Sequence, residues 1–112
     1  MKKRWIASIL SAVAVSCFAE TPDQKLLYKQ TPQGELKLHI FNPDGHSATD
    51  QAPAIVFFFG GGWNGGSPGQ FYGQSEYLAS RGMVAICPEY RVKGTHGTDP
   101  RCCVMDAKSA MR

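Results

Sequence analysis

Apolar and polar positions change rhythm several times along this chain, and each rhythm predicts an element. Residues 35–41 alternate, with Leu36, Leu38 and Ile40 on one face and Lys37 and His39 on the other, the period of a half-covered strand. That face assignment puts His39 toward solvent. Residues 26–29 are a shorter, mixed candidate strand, and Thr31-Pro32-Gln33-Gly34 between the two reads as a turn, so an antiparallel hairpin is expected. A loop rich in Asp, Gly, Ser and Pro covers 42–52, and His46 has no partner in it. Residues 54–59 are unbrokenly apolar, as in a central strand covered on both faces. A glycine-rich loop (60–69), a helix (71–81) stopped by Gly82, and a second apolar strand (83–87) follow. After an irregular stretch (88–98), Asp99-Pro100 opens a last helix with proline at its first position, in which Cys103, Ala107, Ala110 and Met111 share a face. Strand, strand, loop, strand, helix, strand, helix is the opening of an α/β sheet: an antiparallel hairpin, then a parallel β-α-β unit, too few elements to cover both faces.

Composition changes the picture at the N-terminus. Met1-Lys2-Lys3-Arg4 is basic, Trp5 to Val15 is apolar, and Cys17-Phe18-Ala19 offers small residues around a cleavage after Ala19. This is the pattern of a secretory signal peptide, too short and wrongly flanked for a membrane span. The expected division is therefore a signal peptide at 1–19 and an α/β domain portion at 20–112, in a secreted or periplasmic protein. Ala14-Val15-Ser16-Cys17 weakly resembles a bacterial lipobox without its usual leucine, which would make Cys17 a lipid anchor. Either route removes three basic charges and leaves nine Lys and Arg against nine Asp and Glu. A net charge of zero points to no nucleic-acid partner. Cys87 ends an apolar strand and reads as a small buried hydrophobe, while the adjacent Cys102 and Cys103 cannot readily bridge each other. An exported chain permits a bond from either to Cys87 or to a distant cysteine. No Cys/His spacing supports a metal, and no cofactor is expected.

Three patterns compete in the glycine-rich loop. Gly60-Gly61-Gly62-Trp63-Asn64-Gly65 matches the dinucleotide fingerprint formally, and Glu89 ends the next strand as a ribose-binding acid would. That fingerprint needs a helix starting at once, and Gly66-Ser67-Pro68-Gly69 follows instead. Gly65-Gly66-Ser67-Pro68-Gly69 spells the nucleophile elbow of serine hydrolases. The residue after the nucleophile must donate its N–H, and Pro68 has none, so Ser67 is excluded. Ser75, in Gly73-Gln74-Ser75-Glu76-Tyr77, lacks the second glycine and lies in a helix. The third reading takes the triplet as the other half of that machinery: bare backbone N–H groups after an early strand, open to a developing oxyanion.

The blocks Phe-Phe-Gly-Gly-Gly-Trp (58–63), Ser-Arg-Gly-Met-Val-Ala-Ile (80–86), Glu89-Tyr90-Arg91 and Asp106 to Arg112 together resemble the α/β-hydrolase fold over residues 25–112. The resemblance is to exported bacterial esterases and lipases of the His-Gly-Gly-Gly type, related to hormone-sensitive lipase and to feruloyl or acetylxylan esterases. It implies oxyanion donors at Gly61 and Gly62, supported by Phe59, Gly60 and Trp63, and a small-molecule or carbohydrate-linked ester as substrate. Phe59 replaces the family's loop-orienting histidine and can hold the loop only by packing. Trp63 and Phe71 are candidates for the mouth of an aromatic or sugar ester site, with core packing the expected role of Phe71. Glu89-Tyr90-Arg91 reads as a structural corner, with Asp106 as a partner for Arg91 rather than a catalytic acid. The family's serine, acid and histidine follow later in chain order, so no triad is expected here and the chain reads as truncated before its elbow. Alternatives are a prolyl-oligopeptidase-type serine peptidase and a non-catalytic binding module.

Overall fold

The computed structural model describes residues 20–112. The expected signal peptide and the lipid-anchor cysteine Cys17 lie outside the described residues. Four strands form one mixed sheet in the order β1-β2-β4-β3: β1 (Gln24–Thr31), β2 (Gly34–Phe41), β3 (Ala54–Val56) and β4 (Val84–Pro88). β1 and β2 are the antiparallel hairpin, β2 runs antiparallel to β4, and β3 runs parallel to β4. α1 (Tyr72–Ser80) makes the crossover between β3 and β4, as the expected α/β class requires. A single helical turn, α2 (Lys93–His96), and α3 (Pro100–Ala110) follow β4.

Local chemistry sets the boundaries. Thr31 Oγ1 donates to the Gly34 carbonyl at 2.8 Å across the hairpin, and Gly34 adopts φ +128°, open only to glycine. The register of β1 shifts between Leu27 and Lys29, and beyond that bulge Tyr28 and Lys29 reach inward to Glu89 and Asp106. Past the end of α1, Gly82 turns the chain with φ +93°. Asp99 caps α3, its carboxylate accepting from the Arg101 N–H at 2.9 Å, with Pro100 at the first helical position as expected.

The apolar run at 54–59 yields a shorter strand than its pattern predicts, β3 covering Ala54–Val56 alone. The ladder continues one residue past Val56, through Phe57 N–H to the Ile86 carbonyl at 2.8 Å, and then stops. Beyond it the chain turns away because Phe59 is drawn into a stack with Tyr90, centroids 4.1 Å apart. Among the described residues no strand pairs with the other edge of β3.

Two apolar clusters share Phe71. Phe41, Ala79, Ala85 and Cys87 pack beneath α1 with Ile55, Phe57 and Tyr72, while Phe59, Tyr90, Val92 and Cys103 pack beneath α3. Phe71 stacks on Phe57 at 5.0 Å, the core role expected of it. On α3 the buried positions are Cys103 and Asp106.

His39 corrects the strand reading. It is buried, because α1 covers the face that alternation assigns to water. Its Nε2 lies 2.8 Å from Glu89 Oε2, and its Nδ1 meets the Tyr72 hydroxyl. Glu89 is held in turn by the Lys37 N–H at 2.9 Å. A buried ring with both nitrogens occupied is satisfied structure.

Candidate active site

The chain leaves β3 into a closed turn. Asn64 and Gly65 both donate to the Gly61 carbonyl, at 3.1 and 3.2 Å, and Gly62, Trp63 and Gly66 take φ of +63°, +68° and +98°. Glycine is required at two of these places. A Cβ on Gly61 would sit 2.1 Å from the Gly65 carbonyl oxygen, and one on Gly66 would sit 2.4 Å from that of Gly60 and 2.8 Å from the Phe59 ring. Trp63 is the only non-glycine residue with positive φ among the described residues, a left-handed conformation costing about 1–2 kcal/mol for an L-residue.

The turn leaves backbone donors free. Gly60 N–H is bound by Gln70 Oε1 at 2.7 Å. The N–H groups of Gly61, Gly62 and Trp63 donate to nothing among the described residues, and all three residues are exposed. They border a cleft of ≈ 790 Å³ whose opposite wall is α3, contributing Cys103, Val104, Ala107 and Lys108, with Phe58 and Tyr90 beside it. Free donors at the carboxyl end of a strand, against an otherwise apolar cleft, can receive an anionic oxygen from a ligand lying on that wall.

Phe59, Gly60, Gly61, Gly62 and Trp63 all line this cleft. Phe59 is buried at 4 % exposure under Tyr90, and Trp63 is half-exposed at the rim. The excluded serines stand apart from it. Ser67 is the extended residue before a 3-10 turn (Pro68–Phe71), and Ser75 is fully buried in α1, its hydroxyl 3.0 Å from Cys87 Sγ. The dinucleotide reading fails on geometry, since α1 begins only at Tyr72. His96 Nδ1 accepts the Val92 N–H at 3.0 Å, and His46 lies 3.7 Å from Asp50, so neither histidine reaches the cleft. Cys87, Cys102 and Cys103 are free thiols. Burial pushes the Cys87 and Cys103 thiols up in pKa, which keeps both protonated and inert.

Behind the cleft lies a corner locked by charge. Asp106, fully buried, accepts from Arg91 Nη2, Nε and N–H at 2.9, 3.0 and 2.9 Å and from Lys29 Nζ at 2.8 Å. Burial alone would raise its carboxyl, but the bonds from Arg91 and Lys29 outweigh it and hold the group below the ordinary aspartate value. Asp106 is thus the partner of Arg91 expected from the sequence. The grip of residues 93–94 on the loop has no side-chain signature beyond the glycine at 94: Lys93 N–H donates to the Trp63 carbonyl at 3.0 Å, and Gly94 N–H to that of Asn64 at 2.8 Å.

Among the described residues no cluster of His, Cys, Asp and Glu could hold a metal, and no helix is long and apolar enough to cross a membrane.

The geometry has counterparts in solved structures. The chain is similar to esterase 2 of the Planctomycetes species Thermogutta terrifontis. With its propionate-bound form it shares 49% identity at a TM-score of 0.77, over 80% of this chain and 33% of that one. The apo form gives a TM-score of 0.76 at the same identity, over 79% and 33%. The neuroligin-like protein glit-1 of Caenorhabditis elegans is 43% identical over 58 residues, 51% of this chain and 8% of that protein. No family model matches the chain. The chain has an α/β-hydrolase-like fold similar to that of an esterase, and it spans about a third of the length of the solved esterases it matches.

Proposed function

We propose that these residues supply the oxyanion-binding half of a carboxylic ester hydrolase of the serine type, in the exported His-Gly-Gly-Gly branch that the sequence resembles. The observation that carries this reading is the pair of free N–H groups on Gly61 and Gly62 at the rim of the apolar cleft. In the reaction, a serine attacks the ester carbonyl and the two N–H groups receive the negative charge that develops on its oxygen. The alcohol leaves, and water then releases the acid from the acyl-enzyme. The serine, acid and histidine belong to a polypeptide longer than these 112 residues, a reading supported by the exclusion of Ser67 and Ser75. Its substrates are esters of short acyl chains, which the solved esterase bound to propionate and to butyrate supports. The basic and then apolar run at 1–19 supports an exported enzyme. The peptidase and binding-module alternatives have no observation in their favour.

The test is hydrolysis of p-nitrophenyl propionate and butyrate by the longer polypeptide and by the 112-residue chain. Turnover by the first that is abolished by a serine-directed phosphonate, with none by the second, is expected. Phosphonate-sensitive turnover by the 112-residue chain, or none by the longer one, contradicts the reading.

A further inference from the structure

Two pinned peptide units flank the free donors. The unit joining Phe59 to Gly60 is bound on both sides: its carbonyl accepts from the Tyr90 hydroxyl, and its N–H donates to Gln70 Oε1 at 2.7 Å. The unit joining Trp63 to Asn64 is bound likewise, its carbonyl by Lys93 N–H at 3.0 Å and its N–H by the Gly61 carbonyl at 3.1 Å. A peptide plane held at both edges cannot rotate, so these two units set the directions in which the Gly61 and Gly62 N–H groups emerge between them. Two of the four restraints come from residues 90–94. Phe59 has no side-chain hydrogen bond to offer. Its ring lies nearly parallel to that of Tyr90, at 14°, an arrangement that resists separation better than sliding. The hydroxyl-to-carbonyl bond supplies the missing register.

Residues 90–94 are themselves anchored. Arg91 is fixed by Asp106, and the Val92 N–H by His96 Nδ1. Gly94 lies so close to the loop that a Cβ there would stand 2.4 Å from the Asn64 carbonyl oxygen.

We propose that the Tyr90–Gly94 segment is the positioning element of the oxyanion loop, with Tyr90 as the positioning residue that fixes the loop through its hydroxyl. This rests on the reading of Gly61 and Gly62 as oxyanion donors, and its test includes a measurement independent of catalysis.

Tyr90→Phe keeps the stacked ring and removes only the hydroxyl. In the 112-residue chain, ¹⁵N relaxation should show Gly61 and Gly62 falling from rigid order parameters near ~0.85 to below ~0.6, with the β4 amides unchanged. In the longer polypeptide the same change should lower kcat about tenfold for p-nitrophenyl butyrate with KM within about twofold, since misplaced donors weaken the transition state and not ground-state binding. Gly94→Ala, acting from the other end, should loosen the same two amides. Unchanged order at Gly61 and Gly62 in the folded Tyr90→Phe chain overturns the proposal. If Tyr90→Phe does not fold, Gly94→Ala decides by the same two readings. A loosened loop in a polypeptide that hydrolyses no ester upholds the positioning role and sinks the ester reading. An unchanged loop in an active esterase does the reverse.

Discussion

The corner at Arg91 and the loop at Gly61 are joined by the Phe59–Tyr90 stack and by hydrogen bonds from Tyr90, Lys93 and Gly94, and they treat their polar groups in opposite ways. At the corner the buried carboxylate is fully engaged: Asp106 takes three buried bonds from Arg91 and one, half-buried, from Lys29. In the loop three successive N–H groups are left open at the rim of a cleft. Matched charge tethers β1, the β4 corner and α3 to one another; unmatched donors leave a place for a ligand oxygen. The difference is a division of labour. Charge pairing is concentrated at the corner, while the loop holds unsatisfied donors in a turn that needs glycine at 61 and 66.

The largest expected effect comes from the corner. Asp106→Ala leaves Arg91 buried without its partner, a change that typically costs about 3–5 kcal/mol. Urea unfolding of the 112-residue chain should show it, and a loss below about 1 kcal/mol would mean the corner is not what holds the fold. Next comes the loop. Gly61→Ala drives a Cβ to 2.1 Å from the Gly65 carbonyl oxygen, so the turn must open and the donors must move. The longer polypeptide should lose roughly 10²–10³ in kcat, the usual cost of one oxyanion donor. The corner should feel little, and the urea midpoint should shift less than in Asp106→Ala.

Acid acts on the corner. The Asp106 carboxyl is held below its ordinary value of 3.8 in the folded chain, so its stabilisation is complete above that pH and is lost as pH falls through the lower, folded value. Stability measured below pH 4 should therefore fall more steeply in the wild type than in Asp106→Asn; equal slopes would refute the assignment. Smaller still, Asp99→Ala removes the cap of α3 and should cost about 1 kcal/mol in urea unfolding, without altering the ester kinetics beyond about twofold. Ser67→Ala should change neither stability nor kcat measurably. A marked loss of turnover would restore the serine that Pro68 excludes.

Much of this was legible from residue order, and the exceptions share a cause. Alternation located β2 and the hairpin, Asp99-Pro100 located the start of α3, and the family resemblance, not spacing, pointed to Arg91 and Asp106 as a pair. Alternation cannot say what covers the second face, so it points His39 to water although Tyr72 and Glu89 enclose it. The run at 54–59 looked like one strand, because nothing in Phe57-Phe58-Phe59 shows that the third ring belongs to Tyr90. The glycines marked the loop, but its fixings are backbone bonds from residues 93 and 94, about thirty positions away in the chain. Such bonds carry no side-chain signature; only the glycine at 94 hinted at a close approach.

The central claim is that Gly61 and Gly62 bind the oxyanion. It is tested most directly by a crystal structure of the longer polypeptide after reaction with a phosphonate that mimics the tetrahedral intermediate. The account predicts the phosphonyl oxygen about 2.7–3.1 Å from both the Gly61 and Gly62 nitrogens, with the turn unchanged. A phosphonyl oxygen received by other donors, with these two N–H groups facing solvent, would contradict it.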